Sequence, residues 1–363
     1  MSKNSFTASS PAVLAENLGT VLVIGGTGFL GSHIIRQLLA GNHAEKIVCA
    51  SRNIKIESQQ RDPRVVHHTL DVTSLDSIRA LFSVWKPTTV LHTVSPPPRS
   101  HASVLEATNV NGTKTLLDAA KDCPETKAFI FTSSDSACHP SPFAQITEEE
   151  CKLYTSHDAP NHYARTKGIA DAIVLDANSS ELRTATLRLP AIYGEGDTNF
   201  IPQIVESIQT GNWKSQVGPN DKIFEYVYVE SAAEAHILAA YALLLKMPGA
   251  DGQGFFITDG IAMPFFDFMR KCYAAAGQPV LKEEVKVIPF WVVRSMASLS
   301  EWLYWICTFG RMAPKMRRDD IDHLDTGCYW RIGKAEQLLG YKPVVEQDEA
   351  ITRSMIWGMK HEK

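Results

Sequence analysis

The sequence predicts an α/β fold: a doubly wound parallel sheet with a smaller C-terminal lobe. Three observations carry that expectation. First, a short apolar run, "VLVI" (Val21–Ile24), meets a glycine cluster, and "SHIIRQLLA" follows with apolar residues at helical spacing. Second, β-branched runs then alternate with helix-patterned stretches as far as residue 190, the pattern of parallel strands covered on both faces. Third, beyond Tyr193 the alternation weakens while proline and aromatic residues increase.

Length and charge narrow the function classes. A chain of 363 residues buries an ample core in one large or two smaller domains. Its 36 basic and 40 acidic residues leave a net charge of −4, so there is no basic field to draw nucleic acid. The seven cysteines (Cys49, Cys123, Cys138, Cys151, Cys272, Cys307 and Cys328) are odd in number and widely spaced, with no CxxC pair. That spacing argues for reduced thiols in a cytosol-facing protein, and against a disulfide framework or a metal site. Residues 1–18 are small and polar, without a basic start and apolar core, so they are expected as a flexible arm and not a secretory signal.

In chain order, "VLVI" reads as a buried strand, and Gly25, Gly26, Thr27, Gly28 and Gly31 as the turn into a helix. A strand, a glycine turn and a helix form the context that a dinucleotide-binding loop requires. Gly25 permits the tight turn, Gly28 lets the backbone approach a pyrophosphate, and Gly31 lets the helix lie close to the strand. The free N–H groups of the helix start then receive the phosphates. The cofactor-binding set read from this loop is Gly25, Thr27, Gly28, Phe29 and Leu30.

The next strand, "KIVCA" (Lys46–Ala50), tests which nucleotide is bound. NAD sites place an Asp or Glu about 20 residues past the loop to hold the ribose hydroxyls. Here Ser51 and Arg52 stand in that place. Arg52 is either a partner for the 2′-phosphate of NADP or a solvated loop residue, so the cofactor is NADP or NAD, with NADP slightly favoured. A third strand, within "HHTLDVTSLDSI", is expected to end at Asp71 and Val72, beside the adenine. Asp71 reads equally well as the neighbour of a helix N-cap. "TTVLHTV" (Thr88–Val94), the helix "VNGTKTLLDAAKDC" and the strand "AFIFTSS" (Ala128–Ser134) continue the alternation.

The chemistry lies in "FIFTSSDSA" and "NHYARTKG". Tyr163 and Lys167 are four apart and share one face of a helix, and Ser134 ends a strand, where ligands bind in open α/β sheets. A lysine ammonium near a tyrosine lowers the phenol's pKa, so Tyr163 would take the proton of a substrate hydroxyl. Lys167 would also hold the nicotinamide ribose, and Ser134 would fix the substrate oxygen.

At these residues the chain resembles the extended short-chain dehydrogenase/reductases of the Rossmann type, and within them the 3β-hydroxysteroid dehydrogenase branch, including its decarboxylating sterol-4α-carboxylate 3-dehydrogenase members. The resemblance runs from "VLVIGGTGFLG" to "KAEQLLGYKPVV" through "HTVSPPP", "NVNGTKTLLDA", "YARTK", "LRLPAIYGEGD" and "FFITDGIAMPFFDFM". It implies catalysis by Ser134, Tyr163 and Lys167, and oxidation of a 3β-hydroxyl on a sterol, steroid or triterpenoid, with decarboxylation where a carboxylate is adjacent. An NADPH-dependent carbonyl reductase of the dihydroflavonol type is the alternative. Two departures stand out. Ser51-Arg52 replaces the acid, and the proline of "LRLPAIYG" is Pro190, one place later than usual, on the nicotinamide side.

The resemblance also implies a domain plan. Residues 19–190 would form the nucleotide-binding domain, to which the chain returns around 224–240. Residues 191–363 would form the substrate lobe. Within that lobe, "VIPFWVVRSMASLSEWLYWICTFG" (287–310) carries three tryptophans and only Arg294 and Glu301 as charges. It falls short of a membrane span and reads as an interfacial segment, as a core helix or as the wall of the substrate pocket. In the first reading the basic residues of "MAPKMRRDD" face anionic lipid, which places the protein in the cytoplasm against the endoplasmic reticulum membrane. A homodimer is the other partner state left open.

Overall fold

The computed structural model describes residues 17–54, 62–140, 143–308 and 317–361. The expected arm lies outside the described residues up to 16, but its last residue, Leu18, is fully buried and its N–H bonds the His43 carbonyl. The core therefore begins at Leu18 itself.

The first half alternates strand and helix. β1 (Thr20–Ile24), α1 (Phe29–Ala40), β2 (Lys46–Ser51), β3 (Val65–Thr69), α2 (Leu75–Trp85), β4 (Thr89–His92) and α3 (Ala102–Leu105) lead into a π-helical segment, Glu106–Gly112. α4 (Thr113–Lys121), β5 (Ala128–Ser134), α5 (His162–Asp176), β6 (Arg183–Leu189) and β7 (Ala191–Tyr193) follow. The second half comprises α6 (Phe200–Gln209), β8 (Ser215–Val217), β9 (Ile223–Phe224), β10 (Tyr226–Tyr228), α7 (Val229–Leu244), β11 (Gln253–Phe256), β12 (Met263–Pro264), α8 (Phe265–Ala275) and β13 (Lys286–Ile288). α9 (Phe290–Thr308), α10 (Arg318–Leu324), α11 (Gly333–Leu339) and α12 (Gln347–His361) complete it.

Seven strands form one parallel sheet in the order β11-β6-β5-β4-β1-β2-β3. The strand order reverses between β1 and β4, so the crevice at their carboxyl ends is where such a sheet binds ligands. The pleat divides each strand between two cores. Val21 and Val23 of β1 join one apolar cluster, while Leu22 and Ile24 join the other. The first cluster runs without a break from this sheet face into the C-terminal lobe, through Tyr226, Phe268, Trp330 and Met355.

Three expected boundaries move. The third strand ends at Thr69, because the Asp71 carboxylate takes the Thr73 N–H (2.9 Å) and hydroxyl (2.7 Å) and turns the chain out of the ladder. The helix expected at 110–123 is preceded by the π-helical segment, and Asn109 within it and Thr113 just after it are both buried. The chain returns over 224–240 as α7, packed on α1, whereas the strand that joins the sheet is β11. β10 pairs with β7 in a separate two-stranded sheet instead.

Candidate active site

The glycine loop opens at the end of β1. Gly25 has φ +90°, and its N–H bonds the Ala50 carbonyl on β2. A Cβ on Gly31 would lie 2.2 Å from the Gly25 carbonyl oxygen, so only glycine lets α1 cross there. A Cβ on Gly28 would meet nothing but that same oxygen, at 3.1 Å. The protein leaves the outer face of Gly28 clear. α1 also starts there with no side-chain cap and no acid in its first turn. The N–H groups over Gly28, Phe29 and Leu30 therefore fit a dinucleotide pyrophosphate.

The adenosine side is less committed. The Ser51 hydroxyl accepts the Thr27 N–H (3.2 Å), and the Thr27 hydroxyl bonds the Asn53 carbonyl (3.1 Å). Arg52 is exposed just past β2, and its charge helps the Thr73 hydrogen bonds to hold the Asp71 carboxyl below its usual range. Asp71 thus builds a turn and faces Arg52, while Ser74 is the cap of α2. Val72 is buried, its carbonyl close beneath Gly112. Pro190 is buried between β6 and β7.

Ser134, Tyr163 and Lys167 do come together. Ser134 is the last residue of β5, and its hydroxyl accepts the Ser136 N–H (3.1 Å). The Tyr163 phenol faces the hydroxyls of both Ser134 and Ser95. Lys167, one turn further along α5 and 2% exposed, donates to the Thr132 carbonyl (2.5 Å) with its ammonium 4.4 Å above the Phe131 ring.

The electrostatics differ from the sequence expectation. Burial pushes the Tyr163 phenol up, opposed by the hydroxyls of Ser134 and Ser95, while the Asp135 carboxyl adds to the rise. Lys167 gives one of its hydrogens to the Thr132 carbonyl, and burial lowers Lys167 itself to about 7, with Asp171 pulling the other way.

Several residues of this site carry no motif of their own. Asn109, from the π-helical segment, takes the Ser95 hydroxyl (3.2 Å) and donates to Thr166 (3.0 Å), which bonds the Tyr163 carbonyl. His236 of α7 donates from Nδ1 to the Ala232 carbonyl and accepts the Thr132 hydroxyl at Nε2 (2.7 Å), so α7 braces the residue that holds Lys167. Asp171 forms a buried, two-pronged pair with Arg188 one helical turn beyond Lys167. Ser95, Asn109, Thr132, Thr166 and Arg188 lie in the motif stretches given above, whereas Asp171 and His236 do not.

A nucleotide loop and a Ser-Tyr-Lys group at the carboxyl edge of a seven-stranded parallel sheet define a short-chain dehydrogenase/reductase, an oxidoreductase. The comparisons with known proteins narrow this further. The profile of the 3-beta hydroxysteroid dehydrogenase/isomerase family matches residues 22–286, and the chain belongs to that family. It is 48% identical over 294 residues to a sterol-4-alpha-carboxylate 3-dehydrogenase, decarboxylating, of Gibberella zeae, covering 80% of this chain and 97% of that protein. The Schizosaccharomyces pombe protein of the same name is 32% identical, with 94% and 97% covered. Among solved structures, a dTDP-glucose 4,6-dehydratase of Streptomyces venezuelae superposes with TM-score 0.71 at 20% identity, covering 94% of this chain and 97% of that one. The UDP-glucose 4-epimerase of Thermotoga maritima gives 0.69 at 18%, covering 95% and 100%. These structures share the fold.

Proposed function

We propose that this protein oxidises the 3β-hydroxyl of a sterol to a ketone, and that a substrate with a carboxylate on the neighbouring carbon then loses carbon dioxide. The observation that carries the reading is Ser134 facing Tyr163 at the carboxyl end of β5, with Lys167 one turn away. Support comes also from relatives named as sterol-4-alpha-carboxylate 3-dehydrogenases along nearly their full length.

Ser134 and Tyr163 hold the substrate oxygen between them, and Tyr163 takes its proton. A nicotinamide cofactor supplies the hydride acceptor when bound. Gly25, Thr27, Gly28, Phe29 and Leu30 would hold its pyrophosphate. Arg52, Asp71 and Val72 would lie on the adenosine side, and Tyr163, Lys167 and Pro190 on the nicotinamide side. The ketone of a β-keto acid is itself the electron sink for decarboxylation. The two hydroxyls that bound the alcohol also stabilise the oxygen on which charge then develops. The exposed Arg52, with no acid at Ser51, favours NADP(H).

No helix among the described residues is long and apolar enough to cross a membrane. α9 nonetheless turns Trp291, Trp302 and Trp305 outward at 71%, 63% and 64% exposure, and buries only Val293 and Ala297. It is therefore not the core helix the sequence left open. Its charges are engaged with α10: Arg294 pairs with Asp322 (2.7 Å), and Glu301 accepts the Arg318 N–H (3.0 Å). We assign this face to the surface of the membrane that dissolves the sterol. Of the basic residues in "MAPKMRRDD", Lys315 lies outside the described residues, while Arg317 precedes and Arg318 opens α10.

The deciding experiment is incubation with 3β-hydroxysterols and triterpenoids, with and without a 4-carboxylate, under NAD⁺ or NADP⁺, read by mass spectrometry. A 3-ketone, decarboxylated when the 4-carboxylate is present, is the expected product. No oxidation of any member overturns the reading.

A further inference from the structure

The residue after Ser134 is an aspartate that the reaction described so far does not use. Asp135 opens a single 3₁₀ turn, Asp135–Ala137, and aims its carboxyl back at the catalytic hydroxyl. One of its oxygens lies 3.3 Å from the Ser134 hydroxyl and 3.4 Å from that of Ser136. The other receives the indole N–H of Trp330 (3.4 Å) and, like it, the thiol of Cys328 bears on this carboxyl. The surrounding charges come mostly from the C-terminal half: His323 on α10, and Glu225 between β9 and β10. Tyr163 on α5 faces the carboxyl from the other side. Burial raises the Asp135 carboxyl, while His323, Cys328, Trp330 and the Ser136 N–H oppose that rise. Glu225, itself pushed up to about 8 by burial, adds a second acid that disfavours ionisation of both.

The hydrogen count at Ser134 gives this arrangement a consequence. A serine hydroxyl has one hydrogen and two lone pairs. One lone pair is taken by the Ser136 N–H. An ionised Asp135 only accepts, so it draws the single hydrogen of Ser134 to itself. Ser134 then shows a lone pair to Tyr163 and to the substrate oxygen. A protonated Asp135 donates to the second lone pair instead, and the hydrogen of Ser134 is free for the substrate oxygen.

We infer that Asp135 is a positioning residue: it decides whether Ser134 presents a hydrogen or a lone pair to the reacting oxygen, and it ties that choice to the C-terminal lobe through Trp330. This rests on the assignment of Ser134 above. The test compares kcat/KM for oxidation of a 3β-hydroxy-4α-carboxysterol between pH 6 and 10 in the wild type, Asp135→Asn, Ser134→Ala and the double variant. Asparagine keeps a donor that cannot ionise. The ratio of Asp135→Asn to wild type is therefore expected to climb with pH, by up to about tenfold per unit once Asp135 has ionised. In the Ser134→Ala background the same change is expected to have no effect, because its route is gone. Asp135→Ala, which likewise leaves the hydrogen of Ser134 free, is expected to show the same climb with pH while cofactor binding, read by nucleotide titration, stays put. A flat ratio, or an Asp135→Asn effect that persists without Ser134, overturns the inference even if the alanine variant fails to fold. If Ser134→Ala itself keeps wild-type turnover, the site assignment falls instead.

Discussion

Tyr163 sits in surroundings that hold it protonated, since burial raises a phenol that already titrates near pH 10. Oxidation needs the phenolate, whose fraction grows with pH. The oxidative kcat/KM is therefore expected to rise from pH 7 into the alkaline range, and ketone reduction, which needs the phenol, to stay level there. An oxidative rate that falls above pH 8 contradicts this. Tyr163→Phe removes the proton acceptor without changing shape, and a loss of turnover of at least ~10²-fold is expected with cofactor binding kept. Lys167 carries a burial penalty on its charge, present at neutral pH and relieved only as the pH approaches the unfolded lysine value. Lys167→Met is thus expected to lose turnover yet melt no lower than wild type at pH 7, by thermal unfolding. The glycines separate in the same way. Gly31→Ala meets a backbone oxygen and should destabilise the fold, whereas Gly28→Val should fold and lose cofactor binding. At Arg52, a charged hydrogen bond to a 2′-phosphate contributes about 1.5–3 kcal/mol, roughly ten- to a hundredfold in cofactor preference. Ser51→Asp with Arg52→Ile should move the NADP-to-NAD ratio of kcat/KM towards NAD. A ratio that does not move leaves Arg52 a solvated neighbour of Asp71.

Two elements do work that their periodicity hides. The π-helical segment Glu106–Gly112 carries one extra residue per turn, which lets Asn109 face Ser95 and Thr166 while Thr113 reaches His92 (3.0 Å). α9 is the other. Its tryptophans face outward, while its two charges are engaged at the surface by α10. Membrane attachment through this face predicts that Trp302→Ser with Trp305→Ser sharply reduces co-flotation with phospholipid vesicles. Turnover of substrate dispersed in detergent should be unchanged, because neither residue lies in the catalytic group. Equal flotation of wild type and variant removes the proposal.

The molecule as a whole does not divide at residue 190. β6 is covered on its outer edge by β11, α7 lies on α1, and one apolar cluster joins the sheet face to Phe268, Trp330 and Met355. A chain ending at Pro190 would expose that edge and uncover the buried Asp171–Arg188 pair, beside which Gly254 leaves room for the guanidinium. It is expected to aggregate on expression and not to bind nucleotide; a soluble fragment that binds NAD(H) would show the lobes to be separable. The sequence by itself determined the parallel sheet, the glycine loop and the Ser134-Tyr163-Lys167 group, because each rests on local spacing: a strand, a turn or four residues of helix. It also marked Arg52 and the tryptophan-rich stretch as departures from the ordinary. Tertiary structure alone decided the rest. Thr132, His236 and Asp135 acquire their roles from partners dozens to hundreds of residues away, and no local pattern records such a contact. The protonation balance of the site was likewise out of reach. Proximity of Tyr163 and Lys167 along a helix points to a lowered phenol, whereas burial, a property of the packed molecule, pushes it up.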